Sequence, residues 1–328
     1  MKRAWAAFLV TVAAVLPIRI YSVFTWIDPT TGFYKDNGKM AVTGAAVAIL
    51  GAAVTAFLGR RKDQPQLKES VQSVSAAVFA ALAGVFLAGQ SIVSLGNGFS
   101  PMNMLLAIFG VGAAVALLMA AYDFGCGSMV LRRHPLAALL LPVWGCFRLI
   151  SLFITYVATV NRFENIYHTF TAVLLLLFLF AQTKLLAGVD AARGAKRVFL
   201  YGFPAVIAAL TDSIPNIALL FAGRSTLGGI SAGFYFVDLL LAVYGIAYLS
   251  AEGKRRTSVP MVEITPDFSE DDTLAQNRES AEETDKQNAE KTSEEREYLD
   301  FLQKVYHGEH KIVEKREPIP DISAAIKS

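Results

Sequence analysis

The chain has 328 residues, of which 54% are hydrophobic and 18% charged, and its mean hydropathy is +0.44. Soluble domains average about 45–50% apolar and about 25% charged residues, so this composition favours a membrane protein and argues against a nucleic-acid-binding module. The formal net charge of +2 combines two unlike parts: residues 1–251 hold 18 basic and 9 acidic side chains, and residues 252–328 hold 12 basic and 19 acidic ones.

The N-terminal segment is similar to a signal peptide, because Lys2 and Arg3 precede an apolar run. No small-x-small cleavage site follows this run, and the apolar stretch continues to Trp26. We therefore interpret this segment as a retained first membrane span.

Eight stretches have the length and composition of membrane spans. A hydrocarbon core about 30 Å thick requires roughly 20 apolar residues in a helix. The stretches lack the period-2 alternation of an outer-membrane barrel, so they predict an all-α fold, a polytopic helical membrane bundle formed by residues 1–251. Their approximate bounds are 5–26, 40–59, 73–95, 102–122, 135–158, 167–188, 197–222 and 229–250.

The distribution of basic residues predicts the orientation. If the N-terminus is cytoplasmic, the cytoplasmic segments carry 15 Lys and Arg side chains and the opposite segments carry 4. Cytoplasmic loops are enriched in Lys and Arg, so we expect eight spans with both ends of the chain in the cytoplasm.

Small residues recur at four-residue spacing on three of the predicted spans. Such faces allow helix backbones to approach closely. We expect them to pack within one bundle, and a homo-oligomer interface is the alternative. The faces are formed by Gly44, Ala48 and Ala52; by Ala76, Ala80, Gly84 and Ala88; and by Gly112, Ala116 and Ala120.

Four ionisable side chains stand out inside the predicted spans, namely Arg19, Arg148, Asp212 and Asp238. A charge at the bilayer centre costs about 2.5–3.5 kcal/mol on insertion scales, so each needs a partner or a water-filled cavity. One interpretation is that the arginines pair with the aspartates and hold four helices together. The other is an outward-opening polar cavity that binds an ion, a proton or an anionic group. Arg19 could also extend to the outer headgroups.

Prolines lie close to three of these charges. Pro204 and Pro215 flank Asp212, and a proline inside a helix removes a backbone hydrogen-bond donor. The polar run 209–216 is therefore difficult to keep as an unbroken helix. Broken helices of this kind line many transporter sites, which slightly favours a binding function.

A polar and aromatic cluster joins the fifth and sixth predicted spans. Asn161, Glu164, Asn165 and His168 have near-helical spacing, so several could share one face at the outer surface. One histidine and one carboxylate are too few ligands for a structural or catalytic metal site, and we predict no metal. The alternative is a helix–helix contact at the interface, with aromatic side chains in the headgroup region.

The sequence around this cluster resembles an uncharacterised family of multi-spanning membrane proteins of clostridial-type Firmicutes. The resemblance covers roughly residues 5–225 and implies a bacterial cytoplasmic membrane location, with no catalytic residues. The residues that carry it are Pro142, Arg148, Phe153, Tyr156, Asn161, Glu164, Asn165 and Tyr167, with Ile27, Asp28, Pro29, Thr31, Gly32, Phe33 and Tyr34 after the first span.

Common catalytic and cofactor motifs are mostly absent from the sequence. It contains no GxxxxGK[ST], GxGxxG or HExxH pattern, and its one GxSxG match, at residues 229–233, lies at the start of a predicted membrane span. We therefore predict no cofactor and no nucleotide-driven pump or soluble-type hydrolase, whereas an intramembrane enzyme built from dispersed polar residues stays open.

The composition changes abruptly after the last predicted span. Residues 252–292 predict a disordered acidic linker, 293–307 a short amphipathic helix, and 308–328 a disordered C-terminus. The apolar side chains of that helix are the candidate motif for a cytosolic protein partner: Tyr298, Phe301, Leu302, Val305 and Tyr306. The alternatives are that the motif folds against the protein's own cytoplasmic loops, or that it is a nascent helix without a role.

Two classes of function follow from these observations. The first is an integral membrane scaffold or envelope-associated factor whose cytoplasmic tail recruits a partner. The second is a transporter-like or small-ligand-binding membrane protein that uses the intramembrane charges. Direct pairing of those charges would favour the first, and a polar cavity that reaches them would favour the second.

Overall fold

The protein is described here from a computed structural model covering residues 2–28, 34–36, 38–59, 72–96, 100–157, 163–189, 191–224, 226–227 and 231–255. Nearly all of the predicted linker, and all of the predicted amphipathic helix and C-terminus, lie outside these described residues. The helices within them are α1 (Lys2–Thr25), α2 (Lys39–Gly59), α3 (Val74–Gly96), α4 (Pro101–Cys126), α5 (Val130–Arg133), α6 (Pro135–Val157), α7 (Phe163–Leu186), α8 (Ala191–Phe221) and α9 (Ala232–Arg255).

All of these helices except the four-residue α5 are long and apolar enough to cross a membrane. This confirms the predicted fold class, a helical membrane bundle with eight spans. The bounds differ where polar residues extend a span: α7 begins at Phe163, α8 begins at Ala191 and α9 continues to Arg255. The prediction from hydropathy gave shorter spans because it excluded these polar residues: it started the spans of α7 and α8 later and ended the span of α9 earlier.

Six helices form a closed ring, in the order α3, α4, α6, α7, α8 and α9, with α9 packing against α3. The pair formed by α1 and α2 packs against α8. Since α8 contacts four helices, it is the most buried of the eight spans, and α2 is the least buried.

The expected break in α8 is wrong. The helix continues through the run 209–216 with Pro204 and Pro215 inside it. The side chain of Asn216 donates a hydrogen bond of 2.9 Å to the backbone oxygen of Asp212. Pro215 leaves the carbonyl of Thr211 without its usual helical donor, and membrane helices tolerate prolines inside them.

Aromatic side chains fill much of the buried core. Tyr248 on α9 packs 6.1 Å from the ring of Tyr244 and 6.2 Å from that of Phe178 on α7. Gln182 donates a hydrogen bond to the hydroxyl of Tyr244. A buried phenol usually needs such a partner, so this contact allows a tyrosine to occupy the core.

The small-residue face of α3 packs against α4, and these two helices contact each other more extensively than any other pair in the described ranges. Ala76 and Ala80 are fully buried. A Cβ atom built on Gly84 would lie 3.1 Å from the backbone oxygen of Ala114. The absence of a side chain at Gly84 therefore sets how closely α3 and α4 approach.

We predict that Gly84→Leu lowers the free energy of unfolding by about 1–3 kcal/mol, because overpacking forces α3 and α4 apart. Gly89 on the same helix is the matched control, since a Cβ atom there would meet nothing within 4 Å. Gly89→Leu should leave stability unchanged. Thermal unfolding of both variants in detergent measures the difference, and equal losses would contradict this account.

Candidate functional site

Six ionisable side chains form three pairs at the distal end of the bundle, defined here as the end at which α1 finishes. We call this set the buried charge network. Each member is between 1% and 6% exposed. The pairs are Arg19 with Glu164, Arg148 with Asp238, and His168 with Asp212.

The first pair connects α1 with α7. Two guanidinium nitrogens of Arg19 contact the two carboxylate oxygens of Glu164, with 3.0 Å between Nη1 and Oε1. The hydroxyl of Tyr34 donates to the same carboxylate and accepts from Arg19 Nη1 at 2.8 Å. Tyr34 reaches this position because an antiparallel bridge with Ile27 folds its segment back over the end of α1. Burial raises the pKa of the Tyr34 hydroxyl, which keeps it a hydrogen-bond donor.

Tyr167 connects this pair to α2. Its ring lies 3.8 Å from Arg19 Cζ, which is a cation–π distance. Its hydroxyl donates to the backbone oxygen of Ala41 on α2 at 2.6 Å. One tyrosine thus contacts both helices of the α1–α2 pair from α7.

The second pair connects α6 with α9. Arg148 contacts Asp238 in a bidentate arrangement, with 2.5 Å between Nη2 and Oδ2. Two aromatic rings lie near the guanidinium: its Cζ is 5.6 Å from the ring of Trp144 on α6 and 5.3 Å from the ring of Phe234 on α9. This pairing satisfies charges that would be costly if either were left alone in hydrocarbon.

The third pair connects α7, α8 and the segment before α9. His168 Nδ1 lies 2.6 Å from Asp212 Oδ2, and its Nε2 lies 2.9 Å from the Tyr235 hydroxyl and 3.3 Å from the backbone oxygen of Leu227. Tyr235 donates to that same oxygen at 2.5 Å. The backbone N–H of Leu227 donates to Asn216 at 3.1 Å. Leu227, between α8 and α9, is therefore held by side chains from three helices.

The pairs also interact with one another electrostatically. His168 interacts with Glu164 on its own helix and with Asp238 on α9. Asp212 interacts with Asp238 as well. The six side chains are therefore coupled and form one network that spans five helices.

Two of the three observed pairs differ from the pairs of arginine with aspartate that the sequence suggested. Arg148 pairs with Asp238 as one interpretation proposed, but Arg19 pairs with Glu164 and Asp212 pairs with His168. The sequence assigned Glu164 and His168 to an outer-surface cluster, whereas the structure buries both. They are one helical turn apart near the start of α7, so they extend inward from the cluster.

The other candidate residues have different positions. Asn165 is half-buried, and its side-chain oxygen has no hydrogen-bond partner among the described residues. Asn161 and the candidate partner motif at residues 298–306 lie outside the described ranges. Within those ranges, no group of three His, Cys, Asp or Glu side chains is placed to hold a metal ion.

Sequence reasoning selected neither Tyr34 nor Tyr235 as a site residue, although Tyr34 is among the residues that carry the resemblance. Tyr235 lies three residues before Asp238 on α9, so helical spacing places both on one face. That spacing is the sequence feature that could have identified Tyr235 as a neighbour of the charged site. No comparable signal marks Tyr34, because its contact depends on how the segment after α1 folds back.

An apolar groove of about 90 Å³ lies between α2, α7 and α8. Its lining includes no charged side chain, and Tyr167 is the member that also contacts the buried charge network. The groove therefore does not give access to the paired charges. It is lined by Ala45, Ala48, Ile49, Ala52, Ile166, Tyr167, Phe170, Thr171, Leu174, Pro204, Ile207, Ala208 and Thr211.

We predict that Arg148→Met or Asp238→Leu alone lowers the free energy of unfolding by about 3–5 kcal/mol, because each leaves a buried charge without its partner. The double variant should recover most of this loss, since two apolar side chains replace the pair. The exposed Arg133→Met change is the control. Thermal unfolding in detergent provides the measurement. A double variant as unstable as the single variants would contradict the hypothesis that each charge serves only to neutralise the other.

Comparison with known proteins gives no family for this chain. No protein-family model, no curated protein and no solved structure matches it. The function is therefore inferred from the geometry and charges described above.

Proposed function

We propose that the protein is a membrane scaffold whose eight-helix domain is an anchor and whose C-terminal segment recruits a cytosolic protein. The observation that supports this most strongly is the direct pairing in the buried charge network. Every charge contacts an ionisable partner, and none is more than 6% exposed. A solute site needs polar groups that face a cleft or cavity, whereas closed pairs suit helix assembly.

The sequence after Arg255 supports the recruiting role. Tyr298, Leu302 and Val305 share one face of a helical projection, with Phe301 and Tyr306 beside them. A helix of about 12–14 residues is marginally stable alone in water. We infer that this motif gains its stability by placing its apolar face in a groove of a protein partner.

Photo-cross-linking in cells tests this function. We predict that a photoreactive residue at Leu302 of the full chain gives a discrete protein adduct. The same residue at Gln303, on the polar face, should give none. Phe301→Asp should remove the Leu302 adduct because it places a charge on the apolar face. No adduct at Leu302, or equal adducts at both positions, would overturn the recruiting role.

We also infer that the protein lies in a bacterial cytoplasmic membrane with both ends in the cytoplasm. The excess of basic residues on one set of loops, 15 against 4, supports the orientation. The resemblance to clostridial-type membrane proteins supports the location. In this orientation the C-terminal segment faces cytosolic partners, as the scaffold function requires.

Cysteine labelling tests the orientation. We predict that a membrane-impermeant maleimide labels Lys35→Cys in intact protoplasts and labels Lys62→Cys only after lysis. Both variants carry Cys126→Ser and Cys146→Ser, because the two native cysteines are exposed on the protein surface. Labelling of Lys62→Cys in intact protoplasts would reverse the orientation.

A transporter-like or ligand-binding protein is the second candidate. One observation favours it: Asp212 Oδ1 is buried and has no hydrogen-bond partner within the described residues. The Leu302 cross-link separates the candidates, because recruitment of a cytosolic protein predicts it and binding of a solute in the membrane domain does not.

A further inference from the structure

The contacts around His168 determine how many hydrogen atoms the site contains. Three short polar contacts meet there: Nδ1 to Asp212 Oδ2 at 2.6 Å, Nε2 to Tyr235 Oη at 2.9 Å, and Tyr235 Oη to the backbone oxygen of Leu227 at 2.5 Å. Nε2 also lies 3.3 Å from that backbone oxygen. Each short contact is favourable only if a hydrogen lies between its two atoms.

The hydrogens can be assigned from the chemistry of each group. A backbone carbonyl only accepts, so Tyr235 must donate its single hydroxyl hydrogen to Leu227. The tyrosine oxygen is then an acceptor toward His168, and the Leu227 oxygen is one too. His168 Nε2 must therefore carry a hydrogen.

The contact with Asp212 needs a third hydrogen. A neutral imidazole has one N–H group, and in this site it is on Nε2. An ionised carboxylate supplies none. A neutral His168 beside an ionised Asp212 would thus place two lone pairs against each other across 2.6 Å.

We propose that the His168–Asp212 pair is a proton-binding site that holds one exchangeable proton between Nδ1 and Oδ2. The same count is met by an imidazolium beside a carboxylate and by a neutral imidazole beside a carboxylic acid. In both forms the pair has no net charge. This inference concerns the transmembrane domain and does not depend on the proposed scaffold function.

The charges around the site lead independently to the same conclusion, that the pair holds one additional proton. The groups that face it are Glu164 and Tyr167 on α7, Tyr235 and Asp238 on α9, and, through their partners, Arg19 on α1 and Arg148 on α6. Two arginines oppose three carboxylates, counting Asp212. Without the additional proton the network would carry one negative charge in a buried region, which is costly. With it the network is neutral.

The proton also affects the connection between α8 and α9. Leu227 accepts from Tyr235 and lies within reach of His168 Nε2, and its N–H donates to Asn216. If the proton leaves, the one remaining imidazole hydrogen can serve either Asp212 or the Tyr235–Leu227 side, but not both. Loss of the proton therefore removes either the His168–Asp212 contact or a contact on the Tyr235–Leu227 side.

Spectroscopy on the full chain in lipid nanodiscs tests the proposal directly. The chain has four histidines, and His168→Gln identifies the ¹⁵N signals of His168. We expect either two protonated ring nitrogens, or one protonated Nε2 together with an infrared band of a protonated carboxyl that Asp212→Asn removes. A ring with one N–H and no protonated-carboxyl band would overturn the proposal.

Asp212→Asn provides a matched variant for a second measurement. Its amide can donate an N–H to Nδ1, so a neutral imidazole then satisfies all the contacts without an exchangeable proton. From about pH 4, where an aspartate in the unfolded chain has lost its proton, up to the pH at which the folded pair releases its own, the unfolding equilibrium constant of the unsubstituted protein should rise by up to about tenfold per pH unit relative to that of Asp212→Asn. Parallel pH profiles would contradict the proposal. If Asp212→Asn does not fold, the ¹⁵N and infrared spectra of the unsubstituted chain still decide.

Discussion

Neutralising charge inside the hydrocarbon core is the constraint on which the arrangement of this bundle depends. Lipid tails provide no hydrophobic force that joins helices, so polar contacts and close packing decide which helices meet. The buried charge network joins α1 to α7, α6 to α9, and α7 to α8 through three side-chain pairs. Five of the eight spans are therefore linked by groups that cannot be left without a partner in this environment.

Away from that end, packing is governed by size. Gly84 permits a close backbone approach between α3 and α4. Gly202 on α8 and Gly245 on α9 leave room for a side chain of the other helix, because a Cβ atom there would lie 2.9 Å from Leu249 and Val206 respectively. The central helix α8 combines both kinds of contact, because it carries Asp212 near its distal end and Gly202 further back.

The network contains two kinds of charge. The arginine side chains stay protonated in proteins, so the pairs Arg19–Glu164 and Arg148–Asp238 can act as permanent links. The pair His168–Asp212 is different, since its state depends on a single proton and since it contacts the connection between α8 and α9. In the scaffold proposed above, such a group would give a stable anchor in which one link can respond to its surroundings.

The sequence by itself determined the fold class and the approximate bounds of all eight spans, because each crossing needs an apolar stretch of nearly constant length. It also selected Arg148 and Asp238 from their depth. Only the tertiary structure decided that Arg19 pairs with Glu164, that Asp212 pairs with His168, and that Tyr34 and Tyr235 complete their contacts. The physical reason is that depth follows from position along a helix, whereas a partner depends on the rotation and packing of helices distant in sequence, which hydropathy does not record.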